Sequence, residues 1–165
     1  MTPDVLFRIA NNVALPGWLG LVFLPRWRWT ARLVGPVLIP LLLSGIYAAV
    51  VVTEFRYGGG FSSLSSVALL FQNRYMLLAG WVHYLAFDLF IGSWEVRDAQ
   101  RIGIAHYLVA PCLLLTFLFG PAGWLLYILL RSVATRSVGL HDVYSEDMID
   151  IEGANELPTA GSGRG

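Results

Sequence analysis

Three ionisable side chains interrupt one of the most apolar parts of the chain. The stretch WVHYLAFDLFIGSWE, residues 81–95, contains His83 and Asp88 and ends at Glu95. An ionisable group at membrane depth is costly unless it faces the interior of a helix bundle and finds a partner, so it is a functional candidate. A carboxyl group and an imidazole in a medium of low dielectric constant can exchange a proton near neutral pH. The stretch therefore suggests acid–base chemistry on an apolar substrate.

On a helix of 3.6 residues per turn, the side chains of this stretch separate onto two neighbouring faces. The polar face carries Tyr84, Asp88, Gly92 and Glu95, and the aromatic face carries His83, Phe87, Phe90 and Trp94. The residues that we predict to contact a substrate here are Trp81, Tyr84, Phe87 and Trp94. A purely structural role is the alternative, in which His83 is a hydrogen-bonded core histidine and Asp88 bonds a tyrosine, a histidine or an arginine.

His106, near the start of the next apolar segment, is a third candidate. If the chain turns near residue 99, His106 lies level with Gly92, which puts Asp88 ~6 Å and His83 ~13 Å from it along the axis. Asp88 and His106 can therefore meet in the predicted bundle. The separation of the two histidines argues against a metal site of two histidines and one carboxylate, and we expect no metal and no cofactor.

Asn11 and Asn12 place two amides at middle depth in the first apolar segment, one turn from Arg8. Hydrogen bonding between helices is one role for them, and holding an oxygen atom of the substrate is the other. We expect His83 and Asp88 to face the bundle interior, where His106 and these asparagines satisfy them.

The elements that must position these residues are membrane helices, each of which needs about 20 mostly apolar residues. Four stretches qualify, roughly 4–24, 32–53, 74–94 and 104–131. Pro111 and the Gly120-Pro121 pair predict a kink in the fourth of them. The sequence thus predicts an all-α, polytopic membrane protein with a four-transmembrane-helix bundle in residues 1–136.

The connections differ in character. In residues 54–74 three glycines break the helix, Ser62 or Ser63 can cap a new one, and apolar residues follow at helical spacing, so we predict a short interfacial helix. A plain surface loop is the alternative. Residues 95–103 are short and charged, which predicts exposed pairing of acids with arginines. Residues 137–165 are acidic and then small and polar, and we predict a disordered tail.

Composition narrows the class of protein. Hydrophobic residues make up 56% of the 165-residue chain and charged residues 13%, which is typical of a membrane protein. The arginines stand at the ends of apolar runs instead of lining one face, which excludes nucleic acid as a partner. Five arginines fall on one side of a four-span topology and four on the other, so the sequence gives no orientation.

The absence of lysine excludes a Schiff base, and the lone Cys112 is expected to be a buried, inert thiol.

The stretch 81–95, followed by GIAHYLVAPCLLLTFLFGPAGWLLY (103–127), resembles the family of the plant abscisic-acid-deficient-four protein, whose members are small membrane proteins. The segments NNVALPGW (11–18) and GGGFSSLSSVALLF (58–71) look like the same family. The resemblance implies a four-helix membrane protein of carotenoid or related isoprenoid metabolism, in which violaxanthin is converted to neoxanthin. That isomerisation opens an epoxide and removes a C–H proton, and needs one general acid and one general base. On this resemblance we predict Asp88 and His106 as the proton-transfer pair, with His83 assisting and Asn11 or Tyr84 holding the oxygen.

The resemblance implies as partners membrane lipid, an apolar polyene or isoprenoid ligand, and a second copy of the chain or a biosynthetic enzyme. Plant members carry a plastid transit region, whereas this chain starts almost directly in its first span, which predicts a multi-pass protein of a bacterial inner membrane. A non-catalytic protein that binds a pigment or lipid, or that supports a biosynthetic enzyme, is the alternative function. A channel or transporter fits less well, because four helices with few buried charges leave little pore.

Overall fold

The computed structural model describes residues 1–27, 30–55 and 59–136, with residues 30–33 described by their backbone alone. Within these ranges the chain is helical and forms no strand, which confirms the all-α prediction. The predicted acidic tail, 137–165, lies outside the described residues.

Three helices are long and apolar enough to cross a membrane. Helix α1 is Pro3–Phe23, and α4 is Arg74–Arg101. Helix α2 is Ile39–Glu54; it follows directly on a π-helical segment, Thr30–Leu38, and the span Val34–Glu54 includes the end of that segment. Proline stands in the first turn of α1, where its missing N–H costs nothing. Pro36 falls inside the π-helical segment, where the loss of a regular hydrogen bond favours a wider turn. These helices are those of a membrane protein.

A short helix, α3, occupies Leu64–Leu70 between the second and third of the long helices. Ser63 caps it, because its hydroxyl oxygen accepts a hydrogen bond of 3.1 Å from the backbone N–H of Ser66. Leu70 is buried whereas Leu64 is exposed, so the helix has one apolar face against the protein. The prediction of a helix in this connection is confirmed.

Helix α4 is central, and α1 and α2 pack against it. Helix α1 runs parallel to α4, since Asp4 pairs with Arg74 at 2.7 Å at one end and the Pro25 carbonyl accepts from Gln100 at 2.6 Å at the other. Helix α2 runs antiparallel. The helices approach closely at Gly17, where a methyl group would lie 2.8 Å from a side-chain carbon of Leu89 and would have to displace it.

Helix α4 extends further than the sequence predicted. The charged residues 95–103 were interpreted as a connection, but the helix continues to Arg101, and the turn occupies only residues 102–105. Glu95 consequently lies fully inside the bundle, and Asp98 pairs with Arg131 of a later helix. Exposed pairing was therefore the wrong interpretation for these two acids.

The fourth apolar stretch forms two helices, α5 (His106–Phe119) and α6 (Pro121–Thr135), that reverse direction at Gly120. Gly120 lies beside Asp88 and Arg131 bonds Asp98, so α6 returns in the direction from which α5 came. At about 1.5 Å per residue each helix is ~21 Å long, short of the ~30 Å hydrocarbon core. The predicted kink is a reversal of chain direction, and residues 104–131, predicted as one span, form two shorter helices.

Candidate functional site

Helix α4 carries two carboxyl groups on the face that packs against the α5–α6 hairpin. Asp88 and Glu95 are seven residues apart, so they share a face and are separated by ~10 Å along the helix axis. Gly92 lies between them, and a methyl group there would be 2.9 Å from the indole ring of Trp18. The absence of a side chain at Gly92 thus lets α1 pack directly between the two acids.

Asp88 lies at the tip of the hairpin. A methyl group at Gly120 would be 3.0 Å from Asp88 Oδ1, so the carboxylate rests on the bare backbone of the turn. The Tyr84 hydroxyl donates a 2.7 Å hydrogen bond to the Phe117 carbonyl oxygen and is also close enough to interact with the Asp88 carboxylate. The other oxygen, Oδ2, is buried and has no hydrogen-bond partner among the described residues. A buried acceptor without a donor is a place where a ligand can bond.

Glu95 is fully buried two turns further along α4. Its Oε1 accepts a 2.9 Å hydrogen bond from the Thr116 hydroxyl of α5, whereas its Oε2 has no partner among the described residues. The sequence pattern placed Glu95 on the polar face with Asp88, but the residue was not named as a site candidate because it was assigned to an exposed connection. The spacing of seven from Asp88 was the signal that pointed to a shared site.

A buried ion pair holds the far end of the hairpin. Asp98 Oδ2 accepts hydrogen bonds from the Tyr127 hydroxyl at 2.6 Å and from Arg131 Nε at 2.9 Å. The side chains of Arg131 and Asp98 are only 3% and 11% exposed. This cluster fixes the end of α6 to α4 and thereby holds the hairpin tip against Asp88.

His106 does not meet Asp88. Its Nε2 lies 2.9 Å from the carbonyl oxygen of Val22, at the end of α1. Gly120, which contacts Asp88, is fourteen residues further along the chain than His106, or ~20 Å along α5. The prediction from sequence placed the turn near residue 99. Because α4 extends to Arg101, the turn comes later, and His106 lies further from Asp88 along the axis of α4 than predicted. A catalytic role for His106 remains an untested prediction.

His83 faces away from the bundle interior, contrary to expectation. It is exposed on the surface of α4, where its ring stacks on Phe87 with centroids 4.5 Å apart and lies 5.8 Å from the ring of Tyr47. The aromatic face predicted from the sequence is therefore an outer face at this level, because α1 and the hairpin pack against the other sides of α4. His83 and Asp88 do not share a site.

The predicted substrate contacts divide into two groups. Asn11 bonds the Phe7 carbonyl oxygen at 2.7 Å and accepts a 3.3 Å hydrogen bond from the Trp81 indole, whose ring packs 5.4 Å from that of Tyr84. The other three residues lie elsewhere: Asn12 is exposed on α1, Phe87 stacks on His83, and Trp94 packs against Tyr127.

The first group borders an apolar groove of about 610 Å³ between α1 and α4. The residues that line it include Phe7, Phe71, Leu77, Leu78, Trp81 and Tyr84. The ion pair of Asp4 and Arg74 stands at one end. Tyr84, which also touches Asp88, stands at the other. The volume of the groove and its largely apolar lining are typical of a site for a small organic molecule.

The donor set does not point to a metal. Among the residues that the structure describes, no three His, Cys, Asp or Glu side chains are grouped so as to hold an ion. Cys112 is buried in α5 and bonds the Leu108 carbonyl oxygen at 3.7 Å, consistent with its predicted place in the interior.

No curated protein and no solved structure shows significant similarity to the chain. A family profile described as ABA4-like, ABA DEFICIENT 4-like, matches residues 5–127. The match covers α1 to the middle of α6, and so includes the groove, both carboxyl groups and the hairpin tip. The chain is thus a member of the ABA DEFICIENT 4-like family.

Proposed function

We propose that this protein is a membrane isomerase of carotenoid or related isoprenoid metabolism. It opens an epoxide end group and removes a nearby C–H proton, as in the formation of neoxanthin from violaxanthin. Such a reaction involves no net oxidation or reduction, so that it requires only a general acid and a general base. A multi-pass position in a bacterial inner membrane gives the enzyme direct access to such apolar substrates.

The observation that carries this proposal is the position of Tyr84, which lines the apolar groove and lies near Asp88, whose Oδ2 has no hydrogen-bond partner among the described residues. The groove accepts an isoprenoid chain between Phe7, Leu77 and Trp81, and its open side lets the rest of a longer molecule stay in lipid. Asp88 does not itself line the groove, so an end group must pass Tyr84 to reach it. Among the described residues Asp88 Oδ2 has no hydrogen-bond donor, which leaves it free to accept a proton from the substrate.

In the proposed reaction Asp88 takes the C–H proton, and the electron pair of that bond forms the new double bond as the epoxide C–O bond breaks. The Tyr84 hydroxyl protonates the oxygen, which becomes an alcohol. A proton then passes from Asp88 to Tyr84, which lies one helical turn away on the same face of α4. Atoms and charge balance without a cofactor, and Asn11 beside Trp81 helps to position the ring.

The test is expression of the chain in a bacterium that accumulates epoxy-carotenoids, with chromatography of the pigments from cells and from the purified protein. We expect an isomeric product that Asp88→Asn lowers by at least about 100-fold, because proton transfer by a positioned side chain contributes on that order. Glu54→Gln, a carboxyl change at the end of α2, is the matched control and leaves the product unchanged. If Asp88→Asn retains full product formation, the catalytic assignment is wrong.

His106→Gln separates two assignments of the acid–base pair. If it abolishes product formation as completely as Asp88→Asn, the pair inferred from the sequence is right and the role given to Tyr84 is wrong. If only Asp88→Asn and Tyr84→Phe abolish it, the pair at the hairpin tip is supported.

A non-catalytic pigment-binding protein is the second candidate, because the aromatic lining of the groove serves binding as well as catalysis. This function predicts that violaxanthin co-purifies with the wild-type protein unchanged. It also predicts that Leu77→Trp, which fills the groove, abolishes co-purification while Asp88→Asn does not affect it.

A further inference from the structure

His83 occupies an unusual place for a polar side chain. It is exposed on α4, nine residues from Arg74 and fourteen from Arg97, or ~13 and ~21 Å along the helix from the two charged positions. The hydrocarbon core must lie between these arginines, so His83 is inside it. Ionisable side chains at such depth almost always face a bundle interior, a cavity or a partner.

The neighbours of His83 do not satisfy its ring nitrogens. Phe87 and Tyr47 contact the imidazole through their rings, and within the described part of the chain neither the His83 nitrogens nor the Tyr47 hydroxyl forms a hydrogen bond. A neutral imidazole has one donor and one acceptor, and a phenol has one of each as well. Lipid tails offer neither, so neither the lipid nor the described residues of a single copy satisfy the two groups.

We propose that the surface formed by Tyr47, His83 and Phe87, the His83 face, packs against the same face of a second copy around a two-fold axis. The face is self-complementary, since the imidazole and the phenol of each copy supply a donor and an acceptor to the other. The exposed ring of Phe87 supplies apolar contact beside them. A second copy therefore satisfies the imidazole of His83 and the hydroxyl of Tyr47.

This interface is independent of the proposed reaction. The groove lies between α1 and α4, whereas the His83 face lies between α2 and α4, so a dimer leaves the groove open to lipid. The proposal consequently stands or falls without reference to enzymatic activity.

Disulfide cross-linking in membranes tests the proposal on the full chain. The native Cys112 is 1% exposed, so any cross-link is formed by the introduced cysteine. Phe87→Cys lies on the His83 face, and Leu125→Cys on α6 is its matched control, because the two positions are 56% and 55% exposed. With a mild oxidant we expect a band of twice the monomer mass for Phe87→Cys and none for Leu125→Cys.

Second substitutions then test the role of the imidazole. Adding His83→Leu to Phe87→Cys removes two symmetric hydrogen bonds and lowers the cross-linked fraction about tenfold. Adding His83→Gln keeps a donor and an acceptor, so most of the cross-linked fraction is retained. Equal cross-linking of Phe87→Cys and Leu125→Cys, an unchanged fraction with His83→Leu, or a band that contains another protein would each overturn the proposal. Because His83 is exposed, His83→Leu leaves the folded monomer intact.

Discussion

At the scale of single residues, burial decides what each charged side chain contributes. Asp98 and Arg131 form a pair that is almost completely enclosed, and Asp98 also accepts from Tyr127. Asp4 and Arg74 form a pair of similar length whose side chains are 63% and 68% exposed. Water solvates the second pair in any case, whereas a broken buried pair leaves a charge without a partner.

Removal of one partner should therefore have unequal effects. We expect Asp98→Ala to lower the free energy of unfolding by about 3–5 kcal/mol, because it removes the carboxylate that accepts hydrogen bonds from Tyr127 and Arg131 in an almost completely enclosed place. Asp4→Ala, the matched control, should cost less than about 1 kcal/mol. Unfolding by a denaturing detergent in mixed micelles measures both. Equal losses would contradict the assignment of Asp98 as the residue that fastens α6 to α4.

At the scale of elements, the α5–α6 hairpin depends on glycine at two positions. Gly120 has φ 50° and ψ −101°, a conformation that residues with a Cβ rarely adopt. Gly123 lies against the backbone of Thr116, so that any side chain there would overlap α5. Pro121 begins α6 without needing an N–H donor. These residues convert an apolar stretch long enough to span a membrane into two short helices.

Gly120→Ala should therefore destabilise the protein and displace Asp88, with a loss of about 1–3 kcal/mol from backbone strain alone. Gly45→Ala is the control, because no atom lies within 4 Å of a methyl group there. In the middle of α2 that change should stabilise the helix by about 0.5–1 kcal/mol. Thermal unfolding in detergent measures the expected loss of stability in Gly120→Ala and the expected gain in Gly45→Ala. If Gly120→Ala is as stable as Gly45→Ala, the reversal does not need this conformation.

At the scale of the whole molecule, the reversal at Gly120 predicts a membrane topology. If α1, α2 and α4 span the membrane and the hairpin does not, the end of α6 lies on the same side as the α1–α2 and α4–α5 turns, opposite the start of α1. The arginines at that side, among the described residues, are Arg26, Arg97, Arg101, Arg131 and Arg136. The arginines at the other side are Arg8 and Arg74. An excess of arginine marks the cytoplasmic side.

We expect a reporter fused before Met1 to be outside the cytoplasm and one fused after Gly165 to be inside it. Residues 137–165 contain no apolar run of about 20 residues, so the second reporter stays on the side where α6 ends. Fusions to alkaline phosphatase and to green fluorescent protein distinguish the two locations, because these reporters are active on opposite sides of a bacterial membrane. Both termini on one side would indicate four complete spans.

The sequence by itself determined the class of the protein and most of its helices. Apolar runs of about 20 residues predicted the helices that became α1, α2 and α4, since a membrane allows little else for such runs. Ser63 as a cap and the short helix after it followed from local hydrogen bonding. The family resemblance rested on quoted motifs, and the family match covers residues 5–127.

Tertiary structure alone decided which polar residues meet. Local spacing placed Asp88 and Glu95 on one helical face, but whether α4 continued through its charged end depended on Thr116 and Arg131 of later helices. The reversal at Gly120 depended on contact between α5 and α6, which no short window of sequence contains. His83 was exposed and Glu95 buried for the same reason: the face of a helix that becomes interior is chosen by the helices that pack against it.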